Sequence, residues 1–487
     1  MLKKFKILNL REKFITTVSN IYLIFISLFI IFGRSFSGVY IFTFRMAELI
    51  IGFLILFSLI FVIAQPKIKI KFDMFHNQFK FFQLLLVLFF LSFFSNKGNL
   101  LDTYTYKSSS YIWTISIIFF TFILLNYSET KKYHKYIFSV SLPITYFFST
   151  IHYPEIFINF FLEFSDKWDF VKASDILLAF TLANTSNYLL FKNRFNSFIY
   201  FSISSAVLLP LFLFMSKGSF FPSLLFIFMF LIIYLKTIKI KKLKSLFVIL
   251  ISIVLFVLST YEVWGNLNFE KGEFNVTTEE ESLLKLNTLG RGISDIADQK
   301  DTVDVFASLY VAKYTGYNRL YSTDMMLDWR FQIWQDVTRD LFWYSEYLEN
   351  PNNNYTLVRN ELSKRDYKYL LVGLGYNEML PAMNHWERQG SDGSNENVHN
   401  YFFNVLGRGG ILQLISITIF IIAMIFDIKD KQLRNVFIIT LIPIYLTSFF
   451  DASMESLRFP FVFYSGLVIL FKLNKNNLSD NQLKQSF

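Results

Sequence analysis

Long apolar runs recur along most of this chain and limit what it can fold into. The runs are about 17 to 25 residues long, the length with which an α-helix crosses roughly 30 Å of hydrocarbon. More than half of the 487 residues are hydrophobic, and 62 of them are Phe. Strands of a membrane β-barrel differ, because they alternate apolar and polar residues over about ten positions. The sequence therefore predicts an all-α polytopic membrane protein.

Twelve spans fit these runs, with centres near residues 24, 55, 87, 118, 144, 182, 206, 227, 254, 414, 442 and 465. An even number of spans places both termini on one side, and the basic connecting segments, such as PKIKIK at 66–71, fall on that same side. Lys and Arg accumulate in cytoplasmic loops, so both termini are predicted to be cytoplasmic. Arg34 and Arg45 are exceptions in a short outer loop, where Arg45 is expected to pair with Glu48 one helical turn away.

One long polar insert interrupts the apolar pattern between the ninth and tenth spans. It divides the chain into residues 1–262 with nine spans, a large outer loop at 263–400, and residues 401–487 with three spans and a cytoplasmic tail. The loop holds 13 Lys and Arg against 21 Asp and Glu, a net charge of −8, whereas the remainder carries +18. The basic excess therefore follows membrane topology, and no nucleic-acid partner is expected.

The composition of this loop predicts mainly helical structure held together without cross-links. Residues 304–348 contain no proline and space their apolar groups at helical intervals, which predicts one or two amphipathic helices. The chain contains no Cys, which excludes disulfides and thiolate metal sites. His152, His385 and His399 do not form a spaced ligand pair, so no metal site is expected.

The predicted orientation limits the chemistry that the loop can perform. The cytoplasmic loops are too short for a nucleotide-binding domain, and no Gly-rich phosphate loop or Walker sequence occurs in the chain. A bond-forming reaction on the outer face therefore needs a donor that is already activated, such as a lipid-linked one. The diphosphate of such a donor requires fixed cations at headgroup depth, because an unpaired buried charge is costly.

Three residues are candidates for this task. Lys217 lies in the short outer turn MSKGSF, Arg330 lies on a predicted loop helix with Trp334 one turn further on, and His399 lies two residues before the tenth span. The unpaired N–H groups at a helix start already favour an anion near His399. Each residue also has a simpler interpretation: a solvated lysine, an Arg–Trp surface pair, or an ordinary interfacial histidine.

The order of these motifs resembles that of the O-antigen polymerase and O-antigen ligase superfamily. The ordered set is SKG at 216–218, R-x-x-x-W at 330–334, G-L-G at 373–375, and HN at 399–400 followed by aromatics and the Gly pair 409–410. The match covers about residues 200–415. The resemblance implies a GT-C-like membrane glycosyltransferase that transfers glycan from undecaprenyl pyrophosphate to a sugar hydroxyl, with inversion and without a metal or another cofactor.

The resemblance also implies roles for individual residues. Lys217 and Arg330 would bind the pyrophosphate, and Arg330 and His399 would act in catalysis. Lys217 stands where the family has an arginine, so the charge is kept but the bidentate fork is lost. Further candidates are Arg291, a rival for the loop arginine, together with Arg408, Asn400, Trp334, Arg458, Asp451 and Glu455.

Several functions share this constellation. The long loop favours an O-antigen polymerase of the bacterial inner membrane, because it leaves room for a growing glycan on the periplasmic side, and a chain-length regulator is a candidate partner. An O-antigen ligase acting on lipid A-core and a protein O-oligosaccharyltransferase are alternatives. A lipid-linked oligosaccharide flippase is the alternative from another class, although transporters typically show internal repeats and mid-bilayer charges, which are not evident here.

Overall fold

The computed structural model describes residues 2–64, 76–127, 136–150, 153–191, 193–237, 242–263, 313–314, 320–321, 325–349, 367–384, 388, 396–428 and 430–485. Each of the twelve predicted span centres falls within a helix. The α-helices are α1 (Leu2–Ser37), α2 (Met46–Ala64), α3 (His76–Ser95), α4 (Thr103–Ser108), α5 (Ser110–Trp113), α6 (Ile117–Tyr127), α7 (Ile137–Thr150), α8 (Glu155–Phe164), α9 (Ala173–Leu190), α10 (Arg194–Met215), α11 (Lys217–Thr237), α12 (Lys242–Val263), α13 (Met325–Glu349), α14 (Tyr367–Val372), α15 (Tyr401–Phe426), α16 (Lys431–Ser448) and α17 (Arg458–Gln485).

Among the described residues, the strands are short and form two antiparallel pairs. Strand β1 (Tyr40–Ile41) pairs with β2 (Phe44–Arg45), and β3 (Lys313–Tyr314) pairs with β4 (Leu320–Tyr321). Short 3-10 turns lie at Thr114–Ser116, Pro381–Met383 and Ser453–Glu455.

Helices long and apolar enough to cross a membrane occur throughout the described chain. Six meet this condition among the described residues: Ile15–Ser37, Asn77–Ser95, Arg194–Met215, Lys217–Thr237, Leu246–Val263 and Tyr401–Phe426. Ser110–Leu125 and Ile137–Thr150 are shorter apolar helices. Their length and composition match the hydrocarbon thickness of a bilayer, so the protein is an all-α membrane protein, as the sequence predicts.

Helix α9 lies at the centre of the bundle and is buried along almost its whole length. It packs against α7, α10, α16 and α17. Its polar side chains face other helices: the Oγ1 atoms of Thr185 and Thr440 lie 2.7 Å apart, and the Ser139 hydroxyl donates to Asn187 Oδ1 at 2.8 Å. A helix surrounded by protein can carry such groups because neighbouring helices satisfy their hydrogen bonds.

A second, smaller hydrophobic core lies under α13. Apolar side chains of α13, including Ile333, Val337 and Leu341, pack with Leu380, Ala382 and Met383 around the Pro381–Met383 turn, and with Val398. Helix α13 lies within the stretch for which amphipathic helices are predicted. The rest of the predicted 263–400 loop is only partly described, and Arg291 and His385 lie outside the described residues.

Candidate functional site

The segment before α15 holds His399 in an uncommon backbone conformation. The side chain of Asn400 caps α15 by accepting hydrogen bonds from the backbone N–H groups of Phe402 and Phe403, at 2.9 and 3.1 Å. His399 has a φ of 51°, in the left-handed region that residues other than glycine rarely adopt. Such a conformation costs on the order of 1 kcal/mol and persists only where surrounding contacts hold it.

Helix α13 supplies those surrounding contacts. Trp334 Nε1 donates to the Val398 carbonyl at 2.8 Å, and the Trp334 ring stacks on Phe403 with centroids 5.5 Å apart and planes within 9°. The ring of Trp329 lies 5.2 Å from the His399 ring. The two tryptophans therefore fix the peptide before His399 and one side of its imidazole.

Arg330 is the cation of α13 that acts on His399. Burial and then the positive charge of Arg330 lower the pKa of His399 from 6.5 to about 4, and Asp451 opposes them. His399 is therefore neutral at physiological pH. The structure thus brings together Arg330 and His399, two of the three residues selected from the sequence. They lie close enough for the charge of Arg330 to lower the pKa of His399.

An ion-pair network holds α13 in place. Asp336 bonds to Arg388 at 2.6 Å and to Arg339 at 3.0 Å, and Arg339 also contacts Asp340 at 3.3 Å. Arg388 donates to the Ala382 carbonyl as well, at 2.5 Å. Burial raises the pKa of Asp340 to about 7. The Arg339 guanidinium opposes this rise, but Arg339 also binds Asp336, and the negative charge of Asp336 raises the pKa of Asp340 further.

Two further charged residues reach His399 from other loops. Asp451 lies in the connection between α16 and α17 and accepts a hydrogen bond from Ser174 Oγ at 2.7 Å, while Lys172 directly precedes α9. Burial alone would raise the pKa of Asp451, but Lys172, the Ser174 hydroxyl and Arg458 outweigh it and lower that pKa. We refer to Arg330, His399, Asp451 and Lys172 as the histidine site.

Lys217 lies beside this site. It is the first residue of α11, after an extended Ser216. A Cβ atom on Gly218 would lie 2.7 Å from Phe450 Cβ, which places the SKG turn against the residue before Asp451. The SKG turn therefore adjoins the histidine site through the Phe450–Asp451 loop.

The G-L-G and Gly-pair motifs form a contact between two backbones. Helix α15 is kinked at Gly410, with a φ of 70°, and the freed carbonyls of Gly407 and Arg408 accept hydrogen bonds from Leu374 N and Gly375 N at 2.8 and 3.1 Å. A Cβ on Gly373 would lie 2.3 Å from the Arg408 carbonyl oxygen. These glycines are required because no side chain fits between the two segments.

Arg408 locks this contact from the buried side. Its guanidinium donates to the carbonyl oxygens of Glu378 and Gly375 and, at 2.8 Å, to the hydroxyl of Tyr104, whose ring it covers. One turn further along α15, Gln413 Oε1 accepts from two tyrosine hydroxyls, Tyr111 at 2.5 Å and Tyr376 at 2.7 Å. We call Arg408, Gln413 and these three tyrosines the α15 clamp.

Two further candidates from the sequence, Arg458 and Glu455, lie at the start of α17 and in the turn before it. Arg458 Nε donates to Asp175 Oδ2 at 2.8 Å, joining the starts of α17 and α9. Glu455 lies in the 3-10 turn before α17, and burial raises its pKa to about 8, although Arg408 opposes this. Among the described residues, no group of three or more His, Cys, Asp and Glu side chains is placed to hold a metal ion.

Comparison with known proteins adds no relative. No protein-family model matches this chain, and no curated protein matches it significantly. The function must therefore be argued from the site itself.

Lys172 is the residue at the site that sequence analysis missed. It precedes α9, and the polar residues of that helix give no sign in the sequence that it lies at the centre of the bundle. Nothing in the sequence around Lys172 connects it with a histidine more than two hundred residues away. A basic residue directly before a buried helix on the predicted outer side was the available signal, since basic residues are depleted there.

Proposed function

We propose that this protein is a membrane glycosyltransferase that takes a glycan from undecaprenyl pyrophosphate and joins it to a sugar hydroxyl, as an O-antigen or related surface-polysaccharide polymerase. The proposal includes twelve spans in a GT-C-like arrangement, cytoplasmic termini, and a bacterial inner membrane with the large loop in the periplasm. One observation carries it: just before the apolar helix α15, the charge of Arg330 acts on His399 and, together with burial, keeps the imidazole neutral.

In this mechanism, cations bind the donor diphosphate. Arg330 contacts it from α13, Lys217 contacts it from the adjoining turn, and Lys172 adds positive potential from the start of α9. As the bond between the anomeric carbon and the diphosphate oxygen breaks, these charges stabilise the leaving undecaprenyl diphosphate. The acceptor oxygen attacks from the opposite face, which inverts the anomeric centre.

His399 accepts the proton of the acceptor hydroxyl in the same step. An imidazole with a pKa near 4 is a weak base, and Arg330 is one cause of that weakness. A bound diphosphate neutralises Arg330 and adds negative charge, so both changes raise the basicity of His399. Donor binding therefore converts His399 into an effective base only when the reaction can proceed.

The decisive experiment replaces the two site residues in cells that lack the chromosomal copy. His399→Ala and Arg330→Ala should each abolish glycan chain growth at normal protein level, because one removes the base and the other a diphosphate contact. Thr338→Ala, at an exposed position of the same helix, should retain growth. Normal glycan ladders from His399→Ala would exclude the histidine from the mechanism.

The product that accumulates after deletion distinguishes the enzyme classes. Single-repeat surface glycan indicates a polymerase, full-length glycan left on undecaprenyl pyrophosphate indicates a ligase, and missing glycan on a periplasmic protein indicates a protein O-oligosaccharyltransferase. Lipid-linked glycan trapped on the cytoplasmic face would instead indicate a flippase and overturn the proposal.

A further inference from the structure

Four cations from four separate segments meet near the β1–β2 hairpin. Arg34 lies in the last turn of α1, Arg45 lies on β2, Lys107 lies on α4, and Lys167 lies between α8 and α9. Burial lowers the pKa of Lys167, and the nearby charges of Arg45, Arg34 and Lys107 lower it further, against the opposing effect of Asp166. Positive charge is thus concentrated around a half-buried ammonium group.

Carboxylates balance three of these four cations. Asp166 binds Arg45 at 2.6 Å, and Glu396 binds Lys107 at 2.6 Å. Asp169 lies 3.9 Å from Arg34. The sequence-based expectation that Arg45 pairs with Glu48 is wrong, because the Glu48 carboxylate accepts from the Arg45 backbone N–H while the guanidinium turns to Asp166.

Lys167 forms no ion pair within the part of the chain that the structure describes. Three of the four cations therefore have a carboxylate partner for their side chain, and among the described residues Lys167 has none. A desolvated ammonium among other cations is unfavourable unless an anion approaches it, and the cost is relieved when one does.

Exposed apolar side chains of the β1–β2 hairpin and of α8, which we call the aromatic edge, border these cations. Phe42, at the hairpin tip with a φ of 56°, is 96% exposed, and Phe44 beside it is also exposed. Helix α8 buries Ile158 and Phe161 but leaves Ile156, Phe160 and Phe164 exposed. Ser165 ties the two elements together, because it bridges to Val39 and its hydroxyl donates to the Ser35 carbonyl at 2.8 Å.

The edge and the cations occupy the same end of the helix bundle as His399. Glu396, the partner of Lys107, lies three residues before His399. Exposed aromatic side chains at the ends of apolar helices are typical of the membrane–water interface, where neighbouring basic groups meet lipid phosphates. A soluble anionic partner would account for the cations but not for exposed Phe42, Ile156 and Phe160.

We propose that this corner, formed by Arg34, Arg45, Lys107, Lys167 and the aromatic edge, binds the phosphate of an anionic lipid from the adjoining leaflet. Lys167 contacts the phosphate, the paired cations keep the surrounding potential positive, and Phe42 and the exposed face of α8 lie among the acyl chains. The site is separate from the histidine site and does not depend on the proposed glycosyl transfer.

The test uses the full-length protein reconstituted in phosphatidylcholine nanodiscs that contain either phosphatidylglycerol or undecaprenyl phosphate. Bound lipids are counted by native mass spectrometry. Lys167→Gln should reduce retention of anionic lipid roughly fivefold, the effect of one basic residue near a membrane surface. Lys167→Glu should reduce it further, and Lys97→Gln, which removes an exposed charge from the turn after α3, should leave it unchanged.

The two probes distinguish the source of the phosphate. Loss of both lipids in Lys167→Gln indicates a general site for anionic lipid phosphates, and loss of undecaprenyl phosphate alone indicates a site for the carrier lipid. Equal retention by wild type and Lys167→Glu would overturn the proposal. Thermal unfolding of each variant checks that it folds, and Lys167→Gln is expected to fold normally because it breaks no ion pair. Because lipid is counted without turnover, the outcome is independent of whether His399 catalyses glycan transfer.

Discussion

His399 of the histidine site and Gln413 of the α15 clamp are fourteen residues apart along the chain, yet the polar groups of the two regions are arranged differently. In the clamp, Arg408 and Gln413 are buried and directed at carbonyl and hydroxyl groups that fix the G-L-G segment. At the histidine site, His399 is partly buried, and charged groups on three separate segments shift its pKa. The groups of the clamp bond to backbone carbonyls and hold the fold, whereas the groups of the histidine site come from separate elements and shift each other's electrostatics.

Disrupting the clamp should have the largest effect. Gly373→Ala places a methyl group 2.3 Å from the Arg408 carbonyl and forces a φ of 76° on an alanine. The overlap and the backbone strain together should cost about 3 kcal/mol or more. Thermal unfolding of the purified protein in detergent measures this loss, and the proposed glycan transfer should fall with it.

The matched control is Gly52→Ala. No other atom lies within 4 Å of the added Cβ, and Gly52 belongs to α2, so this change should be neutral or slightly stabilising. If both variants unfold at the same temperature, the close approach of the two backbones is not what holds the loop.

Helix α13 links the two regions, and Asp340 makes its stability depend on pH. The pKa of this carboxyl is about 7 in the folded protein against 3.8 in its unperturbed state, so the folded state binds the extra proton between these values. Stability should therefore fall as pH rises from 5.5 to 8, by on the order of 2 kcal/mol. Hydrogen exchange of the α13 amides, corrected for intrinsic rates, measures the change.

Replacing the carboxyl isolates its contribution. Asp340→Asn should remove most of this pH dependence, whereas Asp328→Asn on the first turn of the same helix should keep it. A wild-type α13 that gains protection with rising pH would contradict the raised pKa.

The sequence could predict the helices but not which side chains meet. Apolar periodicity locates all twelve predicted centres within helices, because burial in lipid or in protein selects apolar residues in both cases. Arg330 and His399 could be selected because an arginine on a loop helix and a histidine at a helix start suit an anion wherever they occur. The clamp role of Arg408 could not be predicted, since it depends on the kink at Gly410 and on Tyr104, about three hundred residues earlier.

The smallest predicted effect concerns Lys172, which belongs to the histidine site and not to the α15 clamp. Lys172 is one of the charges that lower the pKa of His399, so Lys172→Gln should raise that pKa. In the proposed mechanism the base must be neutral, so activity is lost as pH falls through its pKa, and the acidic limb of kcat/KM should move to higher pH by less than one unit. At pH 7 the rate should change little, and the unfolding temperature should hardly move, because Lys172 bonds to no carbonyl of the clamp.

Membranes that carry the lipid-linked glycan provide the assay, with Lys236→Gln at the far end of α11 as the control. An acidic limb that stays in place, or moves to lower pH, would show that Lys172 does not act on the histidine, and would leave Arg330 as the cation that sets its basicity.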